Sequence, residues 1–304
     1  MPVINSPLVI EDNANKKARA NEIFDSLDIS EATRADYKYR IGLFLDFVSQ
    51  NGINHNSYLD FKRILSQRTD FSVATKNKYL ATAKIFLREL NRQGFLPVDI
   101  TQNIKTFNQN KKHKRDGFNY AEINRLAEKL KLLEATPRNT RIKALFSLLA
   151  FQGLRQIEII RLDVKDLDLV NATAFIQGKG QDDKELIHLH PETVKALKLY
   201  LKTNKIADGA LFKSLGNRKS DRITTMTIKR DLRAVLEPLG IEKTTHGFRH
   251  FYITTLLQKL DVRDVRKFSR HKNLEMLIVY DDEIDIKYKT TEVFECFNDL
   301  RVTA

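Results

Sequence analysis

Cysteine is nearly absent: Cys296 is the only one among 304 residues. A single thiol cannot close an intrachain disulfide and cannot build a cysteine-cluster zinc site. A reducing, intracellular setting suits such a chain. Long apolar runs are missing too. The most hydrophobic stretch, Ala144 to Phe151, is broken by Ser147 and falls far short of the roughly 18 residues that a membrane span needs. The first twelve residues carry Glu11 and Asp12 and no Lys or Arg, which does not fit a signal peptide. There is no internal repeat and no low-complexity tract. Negative charge is in deficit: 39 Asp and Glu face 52 Lys and Arg, a formal net charge of +13. That excess points to a polyanionic partner, nucleic acid or an anionic membrane. No basic amphipathic helix stands apart from the core, which makes the membrane the weaker reading.

An apolar fraction of 42% and a charged fraction of 30% are ordinary for a chain with a real core. At about 150 residues per domain, the length allows two. Residues 1–24 lack helical periodicity and read as a flexible arm. Only about 25 residues precede the first expected helix. Ser30 is a good N-cap. After it Tyr37, Ile41, Phe44, Leu45 and Val48 form one apolar face, and Asn51-Gly52 supplies a left-handed stop. A shorter helix carries Tyr58, Phe61, Ile64 and Leu65. A third runs from Ser72 through Leu80, Ala83, Leu87 and Leu90 to Gly94. These stripes are core. Lys76, Lys78, Lys84 and Arg88 decorate the third helix as either a solvated or a phosphate-tracking face. Residues 25–107 thus read as a small helical domain.

Residues 108–117 contain no large apolar side chain, and Lys111, Lys112, Lys114 and Arg115 crowd five positions. This is an exposed linker, able to lie along a DNA backbone or to serve only as a solubilising tether. In residues 118–304, helical periodicity at Tyr120–Leu133 and Arg141–Phe151 gives way to three strand-like runs. These hold Leu167 and Leu169, then Ala174 to Ile176, then Leu186, Ile187 and Leu189. Asn171 and residues 178–183 supply the turns. Helical periodicity resumes at Glu192–Leu201, at Thr227–Leu236 and from Gly247 onward. The fold class is mainly α, with one small antiparallel sheet of three strands.

Four segments carry chemistry together. They are Gly153-Leu154-Arg155-Gln156-Ile157-Glu158-Ile159-Ile160-Arg161-Leu162; Gly178-Lys179-Gly180 in the expected hairpin turn; His246-Gly247-Phe248-Arg249-His250 at a helix start; and His271 with Tyr280, nine residues on. In this order and on this background they resemble the tyrosine recombinases, the phage integrase family of site-specific DNA recombinases, over about residues 25–300. Two departures stand out. Arg270 occupies the position before the second histidine, where the family pattern has glycine. Met276 and Leu277 lie where it has a small hydroxyl residue.

The resemblance implies a core-binding, SAM-like helical domain and a mixed catalytic domain closing as a C-shaped clamp on double-stranded DNA. Arg155 and Arg249 would grip the non-bridging oxygens of the scissile phosphate, with permanently charged planar donors whose value rises as charge builds in the transition state. Taken alone, Arg155 reads as a helix-terminus salt bridge to Glu158. Tyr280 would be the nucleophile, forming a 3′-phosphotyrosyl bond and freeing a 5′-hydroxyl. Tyr288 is its nearest rival. Lys179 would protonate the departing oxygen, with Lys184 as a fallback if the turn register differs. His246 and His271 would bond the phosphate, His246 being the better placed for proton transfer. Glu158 and His250 would support the site. His55, His113, His188 and His190 read as structural. No cofactor is implied, neither metal nor ATP, because the ester conserves the bond energy.

Strand exchange would join paired inverted-repeat sites within a homotetramer, from a chain monomeric when free, cytoplasmic and associated with the nucleoid. Val293, Phe294, Phe297 and Leu300 give a final helix one apolar face, to be buried on its own domain or on a neighbouring protomer. Two other activities remain open on the residues alone: a type IB topoisomerase-like relaxation and a catalytically silent DNA-binding regulator.

Overall fold

The structure is a computed structural model that describes residues 13–109, 117–178, 183–214, 221–271, 273–275 and 277. The chain divides into two compact units between Lys111 and Lys112, inside the basic segment 108–117. Of that segment, residues 110–116, with Lys111, Lys112, His113, Lys114 and Arg115, lie outside the described residues.

The first unit is helical: α1 (Asn13–Asp25), α2 (Glu31–Asn51), α3 (Ser57–Gln67) and α4 (Val73–Arg92). Ser30 and Ser72 cap α2 and α4 by accepting from the backbone N–H of Thr33 and Thr75, which satisfies donors that a helix start leaves open. Gly52, at φ 68°, ends α2. The core is aromatic: Phe24, Phe44, Phe61 and Phe86 are buried, with Phe44 and Phe61 edge to face at 5.0 Å. Each such side chain contributes about 1.5–3 kcal/mol by leaving water.

Helix α1 corrects the expectation of a flexible arm over 1–24. Its apolar positions Ala20, Ile23 and Phe24, all buried, occupy little more than one turn near its end. That is too short for a periodic signal over the window on which periodicity is read. Arg34 holds it from α2, donating from Nε to the Phe24 carbonyl at 3.1 Å and from Nη2 to that of Leu27 at 3.0 Å. The Phe24 carbonyl is among those that a helix end leaves without an intrahelical partner, and Leu27 belongs to the turn that follows.

The second unit comprises α5 (Tyr120–Leu132), α6 (Pro137–Ala150), α7 (Gln156–Arg161), β1 (Leu167–Asp168), β2 (Thr173–Gln177), β3 (Lys184–His188), α8 (Pro191–Asn204), α9 (Thr225–Leu236), α10 (Thr245–Leu257) and α11 (Val262–Ser269). Asn119 and Glu122 form a reciprocal capping box on α5. Helix α6 is buried from Thr140 to Ala150 except at Lys143 and packs against α8, α9 and α10. The sheet is antiparallel in the order β1-β2-β3, with Leu167 opposite Ala174 and Phe175 opposite Leu186. Ala174 and Ile176 face the core. The strands stop short of Leu169 and Leu189. A single helix does not continue from Gly247: α10 ends at Leu257, and α11 restarts behind Asp261, which accepts from Arg263 N–H. Among the described residues no helix is long and apolar enough to cross a membrane.

Candidate active site

Helix α6 ends at Ala150, and the chain reverses through Gly153 at φ +58°. A side chain there would be strained and would also meet the Tyr252 ring, 2.4 Å from an added Cβ. The next turn places Arg155 as the N-terminal flank of α7. Glu158, fully buried, reaches back with Oε2 to accept the Arg155 backbone N–H at 2.8 Å, while Oε1 accepts from Arg155 Nη1 at 2.8 Å. The salt bridge that the sequence offered as the plain alternative for Arg155 is therefore present. It leaves about 30% of the Arg155 side chain exposed, so support by Glu158 and contact with an anion are compatible.

Helix α10 brings the second group. Gln156 on α7 donates to the Thr245 hydroxyl and so ties the two helix starts together. His246, in the first turn, is exposed, and Arg249, one turn later, is buried. Arg249 donates from Nη1 to the Gly153 carbonyl at 2.6 Å and from Nη2 to the Ser269 carbonyl. Its Nη2 also stands 3.4 Å from His271 Nε2. His250 is buried as well. It packs so tightly on Gly117 that a Cβ there would sit 2.1 Å from His250 Nδ1. Phe118 stacks on Phe248 at 4.2 Å. The chain enters the second unit directly against this helix.

His271 follows the end of α11 and is buried. Its Nδ1 lies 2.8 Å from Ser269 Oγ, whose own hydroxyl faces the Arg266 carbonyl at 3.4 Å. With Arg249 as donor at Nε2, the consistent arrangement has the proton on Nδ1, donated to Ser269. Burial first, and then the charges of Arg249, Arg155, Arg270 and His246, push the His271 pKa down to about 3. The ring is neutral near pH 7.

Arg270 adopts a left-handed conformation, φ 55° and ψ 45°, which costs a non-glycine residue on the order of 1 kcal/mol. Its side chain is almost fully buried. Nη2 lies 3.3 Å from Glu158 Oε2 and 3.5 Å from the carbonyls of Gln152 and Gly153. Burial alone would raise the Glu158 carboxyl. Arg270, with the Arg155 N–H and guanidinium, more than offsets this and holds it below its ordinary value.

The structure thus brings together Arg155, Glu158, Arg249 and His271, with His246 near enough for its charge to act on His271. Lys179 and Tyr280, like Tyr288 and the final helix, lie outside the described residues. The fallback residue, Lys184, opens β3 beside the segment 179–182, which lies outside the described residues. It pairs with Gln177, the last ladder pair before the turn, and its Nζ lies 2.5 Å from Asp166 Oδ1. The four basic residues of α4 do not form one row. Lys76 donates to the Ser66 carbonyl and Arg88 pairs with Asp99, while Lys78 is exposed and Lys84 half-buried. At about 100° per residue, Lys78 falls well off the Lys84–Arg88 side of the helix. His190 caps α8, accepting from Glu192 N–H, and packs on Phe151. His55 and His188 are exposed. Tyr58 and Tyr200 are core, whereas Tyr39 and Tyr120 stand exposed. Sequence reasoning missed Gln156, Ser269 and Arg270 as site residues; only Arg270 left a signal, as a departure from the expected glycine. Leu277, the other departure, is fully buried with Ile253, Leu257 and Val265, so its apolar character serves packing. No group of three or more His, Cys, Asp or Glu able to hold a metal occurs among the described residues.

Residues 118–285 match the model of the phage integrase family, more than half of the chain. The chain belongs to the phage integrase family. Among curated relatives, tyrosine recombinase XerC of Roseiflexus sp. (strain RS-1) is 25% identical over 281 residues, covering 88% of each chain. Tyrosine recombinase XerC of Escherichia coli O157:H7 is 26% identical over 270 residues, 83% of this chain and 86% of that one. The fold recurs in XerH site-specific recombinase bound to palindromic difH substrate in a post-cleavage complex (TM-score 0.71, 18% identity, 91% of this chain and 84% of that one). It recurs also in the Tn1549 transposon integrase in complex with transposon right end DNA (TM-score 0.69, 13% identity, 91% and 99%). The phage integrase chain described here is an enzyme of the tyrosine recombinase class, and its field of action is site-specific DNA recombination.

Proposed function

We propose that this chain cleaves and rejoins double-stranded DNA through Tyr280 and exchanges strands between two short recombination sites. The phenol oxygen of Tyr280 forms a bond to the scissile phosphorus, and the bond from phosphorus to the 5′-oxygen breaks. The 5′-oxygen takes a proton from Lys179, and the phenolic proton passes to His246. Rejoining reverses each transfer, so neither ATP nor metal is consumed.

The observation that carries this reading is the convergence of Arg155, Arg249 and His271 on one patch, beside the exposed His246. The charge that grows on the phosphate in a five-coordinate transition state requires fixed cations that need no rearrangement. Arg155, partly exposed and braced by Glu158, suits direct contact. Arg249 is more deeply set, anchored on two carbonyls, and adds its charge from behind. Neutral His271 cannot supply a proton from an imidazolium near pH 7, which leaves His246 as the histidine for proton transfer. The wider assembly follows the same reading: both units contact the duplex, and four protomers meet on two inverted-repeat sites, each monomeric when free.

The test uses a half-site selected by the protein from a random duplex pool and nicked near the cut, so that cleavage cannot reverse. The parent chain is expected to give a covalent protein–DNA band on a denaturing gel, with or without chelator. Tyr280→Phe is expected to bind the half-site equally and give no band. An adduct that survives this substitution moves the nucleophile to another residue. Binding without any adduct favours the silent regulator, and relaxation of supercoiled DNA without paired-site exchange favours the topoisomerase-like activity.

A further inference from the structure

We propose that Arg270 is a positioning residue for strand cleavage, holding the Arg155 guanidinium in place through the buried carboxylate of Glu158. The inference rests on the cleavage reading above and assigns a role to a residue outside the set of groups that would touch the phosphate.

Two features of Arg270 work against its presence on purely local grounds. Its backbone lies in the left-handed region, where glycine is free of the steric penalty. Its guanidinium is buried, with only 8% of the side chain exposed, and its Nε has no hydrogen-bond partner among the described residues. A surface-seeking arginine would avoid both by turning outward. Instead Nη2 turns inward to Glu158 Oε2 at 3.3 Å, and Nη1 donates to the Phe268 carbonyl at 2.9 Å.

Glu158 is the link. Its Oε1 holds Arg155 Nη1, while its Oε2 accepts the Arg155 backbone N–H and faces Arg270. A fully buried carboxylate with one arginine partner, itself partly exposed, would be under-compensated. Arg270 supplies the second cation and thereby fixes both the ionisation and the rotamer of the group that orients Arg155. Arg270 Nη2 also approaches the Gly153 carbonyl, which already accepts from Arg249. The segments 152–155 and 269–271 are therefore cross-tied twice, once by each arginine.

Arg270→Gly separates this role from a structural one, because glycine suits the backbone position better than arginine does. In the full chain, on the nicked half-site, Arg270→Gly is expected to bind DNA as the parent does, and to melt lower because the buried Glu158 loses its second cation; cleavage is therefore compared at a temperature where both chains are fully folded. Its single-turnover cleavage is expected to fall on the order of ten- to a hundred-fold, the scale on which a misplaced catalytic group is felt. Arg270→Lys, which keeps a cation on a long stem, is expected to recover part of that loss. In a Glu158→Gln background the effect of Arg270→Gly is expected to shrink to about two-fold, since residues acting through one another are not additive. Cleavage by Arg270→Gly at the parent rate overturns the proposal. So does an undiminished effect in the Glu158→Gln background, or a loss of cleavage that is matched by an equal loss of DNA binding or of folded fraction. A parent chain that gives no adduct at all defeats the cleavage reading itself, a result distinct from each of these.

Discussion

The Arg249 guanidinium is bonded through Nη1 to the carbonyl oxygen of Gly153 at 2.6 Å, so a cation of the site hangs from a backbone position that only glycine occupies without strain. Two sequence boxes ninety-six residues apart meet in that bond. The same carbonyl lies 3.5 Å from Arg270 Nη2, and the other end of Arg249 reaches Ser269 beside His271. The turn after α6 thus acts as the shared anchor of the first arginine box, the helix that carries His246 and the histidine that follows α11.

Gly153→Ala is therefore expected to damage both fold and site. The added Cβ would require φ +58° of an alanine and would overlap the Tyr252 ring. Together these are expected to destabilise the chain by roughly 1–3 kcal/mol. The displaced carbonyl would release Arg249, so cleavage should fall further than the folded fraction does. Urea denaturation alongside single-turnover cleavage checks this. A variant with parental midpoint and parental rate would show that the turn tolerates the methyl group and that the anchor is dispensable.

The pH dependence has a definite sign. His271 is neutral in the folded chain down to about pH 3, whereas in an unfolded chain a histidine titrates near 6.5. Between those values the unfolded state binds a proton that the folded state refuses, so stability falls as acid is added through that window and is flat above it. His271→Gln, which keeps a polar side chain but cannot take up that proton, is expected to show a shallower decline in melting temperature from pH 7 to pH 5. A decline as steep as the parent's would assign the acid sensitivity to other groups.

Much of this site could be read in the chain before folding, and the reason is spacing. Arg155 and Glu158 are three apart and meet at one helix start, and His246 and Arg249 are three apart on one helix, so local sequence encodes both spacings. Gly153 was legible as a helix stop because its conformation is a local demand. Arg270 reaching Glu158, and Gln156 reaching Thr245, span 112 and 89 positions, and no periodicity reports such a pair. Helix α1 was missed for another reason: its stability comes from burial of Phe24 beside Phe86 and Tyr37, a tertiary contribution that overrides weak local pattern.

Asp231 offers a test of the framework beneath the site. It is fully buried on α9 and receives Arg141 from α6 through Nε at 2.9 Å and Nη2 at 2.5 Å, with the half-exposed Arg138 at 3.2 Å. Asp231→Ala strands the buried Arg141 charge and is expected to cost about 3–5 kcal/mol. Arg138→Ala removes only the exposed partner and is expected to cost less than about 1 kcal/mol. Chemical denaturation of both variants decides it. Equal costs would mean that the pair is not the interior strut that its burial indicates.

The last prediction concerns residues after Tyr280, which lie outside the described residues. Asp281, Asp282, Glu283 and Asp285 make a polar stretch, and Val293, Phe294, Phe297 and Leu300 then recur at helical spacing. An apolar face behind a polar tether can reach a neighbour as readily as its own domain. If each protomer passes this segment to the next around four copies, the contact is heterologous and closes by cyclic symmetry, and the tyrosine that precedes it is positioned only within the assembly. Deleting residues 290–304 is then expected to leave half-site binding unchanged and to abolish joining of two sites. Gel-shift titration with one half-site, and ligation of paired sites followed by sizing, measure the two separately. Normal recombination by the truncated chain would mean that the segment serves only its own domain.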